Sequence, residues 1–573
     1  MNQKSLSLSS VRVPAPALTV LSLLCGIAMI GHAQTLPGAP AYRIGDAVKE
    51  AQPKAPAAVR PASAPQIVDT PAAPLSLAAG DTLPVQSFRL IGADYLPEAE
   101  LQASLAPYRQ RQLTMAEIDQ AAGALTALYR RHGYPVARAY VPRQDARDGV
   151  LAIQVVVGQL GQLSLRNSSL VGDNLLQQVF APLQGQPLSR ADLERALGII
   201  RYMPGAQTPR LTVAPGQTPG SSDLTAEVGA GPRWGGTISG DNLDTPAIGK
   251  YRTAADLYLN SLLGVADRLG LNTIASRDSG LLSGRLSYSF PLAANGLRLE
   301  LVAMKTRYEL GGDYAGLDAT GTSTSGGAEL SYPLLLSQER YLNLHLNLQS
   351  RQMRDDIGAL QLSTPKRAQV AALGLVHEVW GSLAGYTSYS MLSAEAAYGR
   401  LAYKDPAQAA QDRQLTRVAG DYGRLSLGAR STLDLTPAWT LDAEAHAQHA
   451  LTSGSLDGSE QMSISGRSGV MAYQESFSGD NAWTLRAELR RTLPAPGSDW
   501  RQSLGLFTDT GRAWLQDAHL LSANGVRLSD LGWGYYASYR ALSARLQLAR
   551  TVGARPASYR AQTRAMFQLA LDF

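Results

Sequence analysis

The last eleven residues, Thr563 to Phe573, alternate between apolar and polar side chains with the period of a β-strand. The apolar face carries Ala565, Phe567, Leu569, Leu571 and Phe573, and the polar face carries Arg564, Gln568 and Asp572. A strand that is apolar outside, polar inside and ends on an aromatic residue is typical of the closing strand of a transmembrane β-barrel. One such segment would equally suit a soluble β-sandwich, so the prediction depends on whether the pattern recurs.

The same alternation continues through the whole C-terminal part of the chain from Arg233 onward. Clear examples are 342–348, 439–447 and 483–489, where Leu, Ala or Trp occupies every second position. The intervening positions carry charges of both signs, which a watery lumen tolerates and lipid does not. We therefore predict an antiparallel transmembrane β-barrel of about sixteen strands rather than a soluble sandwich.

The connections between the predicted strands alternate between short turns and long loops. The long loops fall near 309–322, 352–366, 401–416, 452–481, 515–529 and 553–561. In barrels of this kind the short turns face the periplasm and the long loops face outward. When the two shorter outer connections that precede these loops are also counted, the segment at about 452–481 is the sixth outer loop.

Two similar modules precede the barrel. In the first, Ile118, Ala122, Leu125 and Tyr129 recur at helical spacing within Met115–Arg131. In the second, Ser189-Arg-Ala-Asp192 resembles a helix capping box with Asp in place of Glu. Each module has the order β-α-α-β-β over roughly 70 residues, the size and order of an α+β POTRA domain.

The N-terminal segment has the features of a secretory signal: Lys4 and Arg12, an apolar stretch from Ala17 to Ile30, and small residues at Gly31 and Ala33. A short helix is predicted near Ile44–Ala51, followed by a Pro- and Ala-rich spacer. The predicted organisation is a signal peptide at 1–33, an N-terminal segment and linker at 34–84, POTRA domains at 85–158 and 159–230, and a barrel at 231–573.

Composition narrows the class of protein further. Only 17% of residues are charged and 54 are glycine, while hydrophobic content is 45%. Cleavage after Ala33 removes Lys4, Arg12 and the single cysteine, Cys25, so the net charge falls from +5 to +3. A small net charge gives no reason to expect a nucleic-acid partner. A mature chain without cysteine has no disulfide, thiolate nucleophile or Cys-ligated metal.

The sequence contains no residue pattern that indicates an enzyme active site. His446 and His449 are three residues apart on a predicted strand, so their side chains face opposite sides and do not readily share a metal. No convincing nucleophile motif such as Gly-x-Ser-x-Gly is present. We expect no catalytic residues, no metal and no cofactor.

Individual residues in the first module and the first barrel strands resemble those of a known family. The matching positions in the first module are Gly133, Tyr134, Ala137, Ala139, Val141, Pro142, Gln144, Gly149, Leu151, Ile153 and Gly158, and those in the first barrel strands and turn are Gly240–Leu243 and Leu262–Leu269. Together with the domain order, they resemble the outer-membrane transporters of two-partner secretion, the haemolysin and filamentous-haemagglutinin secretion/activation family. The resemblance covers nearly the whole chain.

The resemblance implies a pore that recognises an unfolded exoprotein in the periplasm through its POTRA domains and moves it to the cell surface. The implied partners are a large exoprotein with an N-terminal secretion domain, the outer-membrane assembly machinery and the lipid bilayer. Candidate substrate-binding residues lie on one POTRA strand, Val136, Ala137, Ala139 and Val141. The implied assembly signal is the C-terminal set of Phe567, Leu569, Leu571 and Phe573.

Two barrel motifs of the family bear on mechanism. A strand near the end carries Phe507, Asp509 and Gly511 of the Phe-x-Asp-x-Gly pattern, facing the lumen. The tip of the sixth loop, which in similar proteins folds inward and supplies an arginine to that aspartate, here reads Val470-Met471-Ala472-Tyr473 instead of Val-Arg-Gly-Tyr/Phe. A buried Asp509 needs another cation. The candidate partners are Arg467, Arg486 and Arg490.

Two other functions fit part of the pattern. An outer-membrane insertase of the same superfamily usually has three or five POTRA domains, whereas two are predicted here. A passive porin does not account for periplasmic modules. Members of the resembling family also often carry a longer plug helix than Ile44–Ala51 supplies. Two arrangements are therefore open: a helix plugs the resting pore, or the sixth loop closes it alone.

Overall fold

A computed structural model describes residues 44–51, 66–67 and 82–573, except 146–147, 219, 278–279, 416, 496, 518–523, 554–555, 557–558 and 560. The predicted signal peptide and most of the linker lie outside the described residues. No helix in the described part of the chain is long and apolar enough to span a membrane.

The C-terminal part forms a closed barrel of sixteen antiparallel strands, which confirms the predicted fold class. Its strands are β10 Trp234–Asp241, β11 Arg252–Asn260, β12 Arg268–Ser276, β13 Leu281–Pro291, β14 Arg298–Glu309, β15 Ala319–Leu336, β16 Arg340–Ile357, β17 Leu362–Leu383, β18 Tyr386–Tyr403, β19 Gly420–Thr436, β20 Trp439–Ala450, β23 Asn481–Thr492, β24 Trp500–Trp514, β25 Val526–Tyr539, β26 Leu542–Thr551 and β27 Thr563–Asp572. The first and last strands pair antiparallel, with Ile238 opposite Leu571, and so close the sheet without a free edge.

Side chains alternate across the barrel wall as the sequence pattern requires. On β16, Leu346 and Leu348 point outward and are exposed, whereas Arg351 points into the lumen and is buried there. Opposite charges pair within the lumen, as with the half-buried Arg285 and Glu300 at 2.6 Å. Between its outer and periplasmic ends, the wall therefore presents an aliphatic surface to lipid and keeps its charges inside.

The strands on one side of the barrel extend further than the sequence pattern indicated. Strands β15 to β18 contain 18, 18, 22 and 18 residues. The loop predicted at 352–366 is only a short turn at 358–361 between β16 and β17. The prediction was wrong there because outward positions such as Gln352 and Arg354 are polar, so the apolar alternation ends before the strands do.

The first periplasmic module contains β2 Thr82–Val85, β3 Ser87–Ile91, α2 Glu98–Leu105, β4 Arg111–Thr114, α3 Met115–Arg131, β5 Arg138–Tyr140 and β6 Val150–Val156. Its main sheet has the order β3-β6-β5, and β2 pairs with β4 in a separate two-stranded sheet that the sequence did not predict. Helix α3 begins at a capping box formed by Thr114 and Glu117, and Gly133 follows its end with φ of 89°.

The second module contains β7 Gln159–Asn167, α4 Asp173–Phe180, α5 Arg190–Arg201, β8 Arg210–Pro215 and β9 Ser221–Val228. At the predicted cap of α5, the Asp192 N–H donates to Ser189 Oγ at 3.1 Å. The sheet has the order β8-β9-β7, extended at β8 by a short linker strand, β1 Gln66–Ile67. Strand β1 runs parallel to β8, with Gln66 opposite Thr212 and Ile67 opposite Val213.

The second module rests directly on the periplasmic turns of the barrel. Arg195 donates to the carbonyls of Pro333 and Asn295 at 3.1 and 3.3 Å. The ring of Tyr202 stacks on that of Tyr341 with centroids 5.0 Å apart. These contacts hold the module beside the periplasmic mouth of the barrel.

Candidate translocation pore

The sixth outer loop, residues 451–480 between β20 and β23, folds back into the lumen. Within it, two short strands pair with each other, β21 Met462–Ser463 and β22 Ser478–Gly479. All four residues of the predicted tip motif, Val470 to Tyr473, are buried. The loop tip is thus part of the lumenal core rather than a surface segment.

Aromatic rings surround the tip. The Tyr473 ring lies 4.9 Å from that of Tyr559 and meets the Phe477 ring edge to face at 6.1 Å. Phe507, from the strand motif, is fully buried in the same cluster. Closely packed aromatic pairs of this kind hold the tip by apolar burial and by their ring geometry.

Asp509 of the strand motif pairs with Arg486 from the neighbouring strand. Arg486 Nη1 lies 3.0 Å from both carboxylate oxygens, and the two residues face each other in the register of β23 and β24. The same guanidinium lies over the Phe507 ring, 4.4 Å from its centroid. The cation that the loop tip lacks is therefore supplied by the barrel wall.

The other two candidate partners do not contact Asp509. Arg490 donates to Glu488, with Nε 3.0 Å from Oε1. Arg467, in the sixth loop, is attracted to Asp241 and Asp244, and burial lowers its pKa to about 10. Arg490 is therefore paired with Glu488, and Arg467 is attracted to acids other than Asp509.

Asp530 joins this group, although sequence reasoning missed it. It lies opposite Asp509 on β25 and is fully buried. One carboxylate oxygen accepts the Ala472 N–H at 2.7 Å, and the other accepts the Asp509 N–H at 3.2 Å. The alternation on β25 places Asp530 in the lumen, because Leu531 faces lipid, but no motif marked it as a loop anchor.

Arg564 on the last strand is a second anchor that the sequence did not reveal. Its Nη1 donates to the carbonyls of Met471 and Tyr473 at 3.0 and 3.3 Å. Its Nη2 donates to the Leu243 carbonyl of the first outer loop at 2.7 Å. The tip is therefore held through its main chain, since carboxylates accept its N–H groups and one guanidinium donates to its carbonyls.

The base of the loop is fixed to the opposite wall by ion pairs. Lys366 Nζ lies 2.6 Å from Asp457. Burial opposes ionisation of Asp457, but the Lys366 ammonium holds the pKa of that carboxyl well below its usual range. Glu460 accepts from Arg351 at 3.3 Å and from Arg424 at 3.1 Å. With its tip on β24 and β25 and its base on β16, β17 and β19, the loop crosses the lumen.

A short helix, α1 Ile44–Glu50, occupies the space beside the loop. Its apolar side chains pack against barrel residues such as Tyr308 and Leu401. Ser476 Oγ of the loop donates to Asp46 at 3.0 Å, and Lys49 Nζ donates to the Gln461 carbonyl at 2.9 Å. The helix is as short as predicted and lies in the lumen, so the sixth loop does not close the pore alone.

Gly45 explains how close the helix comes to the loop. A Cβ at this position would lie 2.4 Å from the Ser459 nitrogen and 2.5 Å from the Gly458 carbonyl carbon. Both neighbouring atoms belong to the main chain and cannot move aside as the end of a flexible side chain can. The helix and the loop therefore form one closure with two parts.

A family model for haemolysin secretion/activation proteins of the ShlB/FhaC/HecB type matches residues 220–528, and a ShlB-type POTRA model matches residues 83–158. The chain belongs to the ShlB/FhaC/HecB family. It is a two-partner secretion transporter of the outer membrane, with its POTRA domains in the periplasm and a secreted exoprotein as its partner.

Curated relatives agree with this family, and solved structures share the fold of this chain. The heme/hemopexin transporter protein HuxB of Haemophilus influenzae is 23% identical over 442 residues, covering 76% of this chain and 77% of that protein. The structure of CdiB from Escherichia coli has a TM-score of 0.71 at 22% identity, covering 87% of this chain and 94% of that one. CdiB from Acinetobacter baumannii has a TM-score of 0.62 at 16% identity, covering 97% of both chains.

The POTRA strand singled out in the sequence offers this secretion transporter little free main chain. Ala137, Ala139 and Val141 are buried in the core of the first module, and Val136 packs against the second. Strand β5 is an edge of its sheet, but helix α3 already satisfies it: Thr126 Oγ1 accepts the Ala139 N–H at 2.9 Å, and Arg130 donates to the Ala137 carbonyl at 3.3 Å.

The C-terminal residues of the transporter lie on the lipid-facing surface. Phe567, Leu569, Leu571 and Phe573 are all exposed on the outside of β27 and just beyond it. The Phe573 ring lies 5.8 Å from that of Trp234 on the first strand. The set predicted as an assembly signal therefore lies at the seam where the barrel closes.

Proposed function

We propose that an extended segment of the exoprotein is received at strand β8 of the second POTRA domain and then passes through the barrel once helix α1 and the sixth loop have left the lumen. The observation that carries the proposal is the parallel pairing of Gln66 and Ile67 with Thr212 and Val213. The edge of β8 accepts an extended peptide, here one from the chain's own linker.

Recognition through main-chain hydrogen bonds suits a substrate that is unfolded on arrival. A strand added to a sheet edge is bound through its backbone, so many different sequences can satisfy the same edge. Strand β5 of the first module is a poorer receptor because Thr126 and Arg130 already bond its outer edge. An arriving segment would compete with the linker for β8.

Displacing the linker also bears on the closure. The linker joins β1 to helix α1, which contacts the sixth loop through Asp46 and Lys49. A segment that takes the place of β1 frees the chain between the second POTRA domain and the lumen. Binding at the periplasmic face would in this way favour departure of α1 from the pore.

The alternatives fit less well. A passive porin keeps an open aqueous path, whereas α1 and the sixth loop cross this lumen. An insertase needs no closure whose release is linked to a linker strand in the periplasm. We also infer that the transporter is not an enzyme. The buried ionisable groups described above are engaged in ion pairs and hydrogen bonds that hold the sixth loop, which is a structural role.

The decisive experiment fixes the linker on β8 by a disulfide. Gln66→Cys and Thr212→Cys lie on directly opposed residues of parallel strands, which are about 4.8 Å apart. That spacing suits a disulfide, and the periplasm permits its formation. Because the single natural cysteine precedes residue 34, the introduced pair has no competing thiol in the processed chain.

We expect the oxidised double variant to assemble in the outer membrane but to release no exoprotein. A reducing agent should restore secretion, and each single cysteine variant should secrete normally. Full secretion with the disulfide completely formed would refute β8 as the receptor. Loss of secretion in the single variants would instead show that the substitutions themselves are harmful.

A further inference from the structure

One part of the outer barrel surface is strongly cationic. On strands β14 to β18, the outward-facing side chains change from aliphatic to basic towards the outer loops. The basic residues are Lys305, Arg307, Arg354, Arg367 and Arg400. The strand register brings them together: Arg307 and Arg354 both flank Thr322, and Arg367 lies opposite Ala402, two residues beyond Arg400.

An open groove of about 710 Å³ lies immediately below these cations. Small residues on adjacent strands form its floor, namely Gly326, Ala328, Ser350 and Ala371. The side chains of Leu348 and Tyr398, 49% and 62% exposed, stand at its sides. Arg400 and Asp421 close its upper end. The groove is thus apolar below and charged above.

We propose that this surface, the outer-wall groove together with its five cations, binds one phosphorylated, multiply acylated glycolipid of the outer leaflet. The cations would bind the phosphate groups and the groove would hold an acyl chain. Arginine and lysine are well suited to phosphate, since they form charge-assisted hydrogen bonds to its oxygens. Only a ligand that is anionic at one end and aliphatic at the other matches both parts.

Charge balance favours an anionic ligand here. Asp356 accepts from Arg354 at 2.8 and 2.9 Å, whereas Arg400 and Asp421 are 3.7 Å apart and Arg307 and Glu309 are 3.8 Å apart. Lys305 and Arg367 form no ion pair with any residue in the described part of the chain. With five basic and three acidic side chains, the surface carries an excess of positive charge.

The position of the cations supports a membrane lipid as the ligand. A basic side chain on the lipid face of a barrel is strongly unfavourable at the bilayer midplane and nearly neutral close to the interface. A row of such residues is therefore expected only where headgroups begin. The aliphatic residues on the same strands, such as Leu346 and Leu373, lie on the side of the groove away from the cations.

The test uses the full-length transporter in detergent and native mass spectrometry with diphosphorylated, hexa-acylated lipid A as the probe. The charge variant is Arg367→Gln with Arg400→Gln. Its matched control is Arg512→Gln with Arg550→Gln, which removes two exposed outward arginines from β24 and β26. A third variant, Ala371→Trp, fills the groove without changing the charge. Heat-modifiable migration on a gel verifies that each barrel is folded.

We expect one lipid per wild-type barrel, at least tenfold weaker binding in the charge variant and in Ala371→Trp, and unchanged binding in the control. Lipid A without phosphate should bind as weakly as the charge variant. Equal loss of binding in the control would overturn the proposal, because it would show that any exposed basic residue attracts the anionic lipid. Binding of phosphatidylglycerol with the same affinity as lipid A, or full binding by Ala371→Trp, would likewise overturn the proposal.

Discussion

Replacing Arg486 with methionine should release the sixth loop. The substitution keeps an apolar stem of similar length over the Phe507 ring but removes the cation that faces both oxygens of Asp509 at 3.0 Å. With the loop seated, Asp509 would then be a buried carboxylate without a counter-ion. Departure of the loop would let water reach it, so the released state becomes the favoured one.

The size of the effect follows from the burial of the pair. Asp509 is 1% exposed, and breaking a buried ion pair by removing one partner costs about 3–5 kcal/mol. Suppose that the substitution changes the free-energy difference between the seated and the released loop by only the lower value, about 3 kcal/mol. The ratio of released to seated loop then rises roughly a hundredfold, since about 1.4 kcal/mol corresponds to a factor of ten. A loop that is almost always seated would then be released for a large fraction of the time.

Single-channel recording in planar bilayers measures this directly, because a released loop widens the conducting path. The control is Arg285→Met, which removes a lumenal arginine of the same side-chain exposure, 20%, from a pair with Glu300 far from the loop. We expect frequent large openings for Arg486→Met and wild-type recordings for Arg285→Met.

A double-mutant cycle separates the ion pair from general damage to the lumen. Adding Asp509→Asn to Arg486→Met removes the unpaired charge, so the double variant should open less often than Arg486→Met alone. Wild-type recordings for Arg486→Met, or additive effects of the two substitutions, would refute the pairing as a determinant of loop position.

Three further predictions concern the loop anchor, the periplasmic modules and assembly. Asp530→Ala should open the channel more than Asp530→Asn, because an amide oxygen can still accept the Ala472 N–H, and conductance would compare the two. Deleting residues 86–230 should leave a heat-modifiable barrel with no exoprotein in the medium, whereas normal secretion would contradict a receptor role for the modules. Phe573→Ser should lower the amount of protein in outer-membrane fractions, and unchanged abundance would contradict an assembly role for the terminal aromatic.

The sequence predicted those features that depend on side-chain periodicity. Alternation of period two assigned the barrel strands and the lumenal position of Asp509, and helical spacing assigned Met115–Arg131, which the structure matches residue for residue. These assignments need only local sequence, because apolar and polar residues recur with the period of a strand or helix wherever that element lies in the fold. The closing strand Thr563–Asp572 was predicted for the same reason.

The features that the sequence did not predict depend on contacts between distant segments. Asp530 and Arg564 hold the loop tip through its main-chain groups. Almost every residue carries these groups, so the sequence does not show which of them form the bonds. The outer edge of β5 is covered by Thr126 and Arg130 of α3, which only the packing of helix on sheet reveals. The pairing of the linker with β8 joins segments nearly 150 residues apart.

The position of the arginine changes what loop departure costs. Were the cation on the loop, as in the family pattern, releasing the loop would separate a buried ion pair and leave Asp509 alone. Here Arg486 and Asp509 both belong to the wall, so their pair survives when the loop leaves. At the loop tip, departure then breaks the hydrogen bonds from the Met471 and Ala472 N–H groups to Asp509 and Asp530 and those from Arg564, all of which water can replace. A wall-supplied cation therefore keeps the lumenal carboxylate paired in both states and lowers the electrostatic cost of opening.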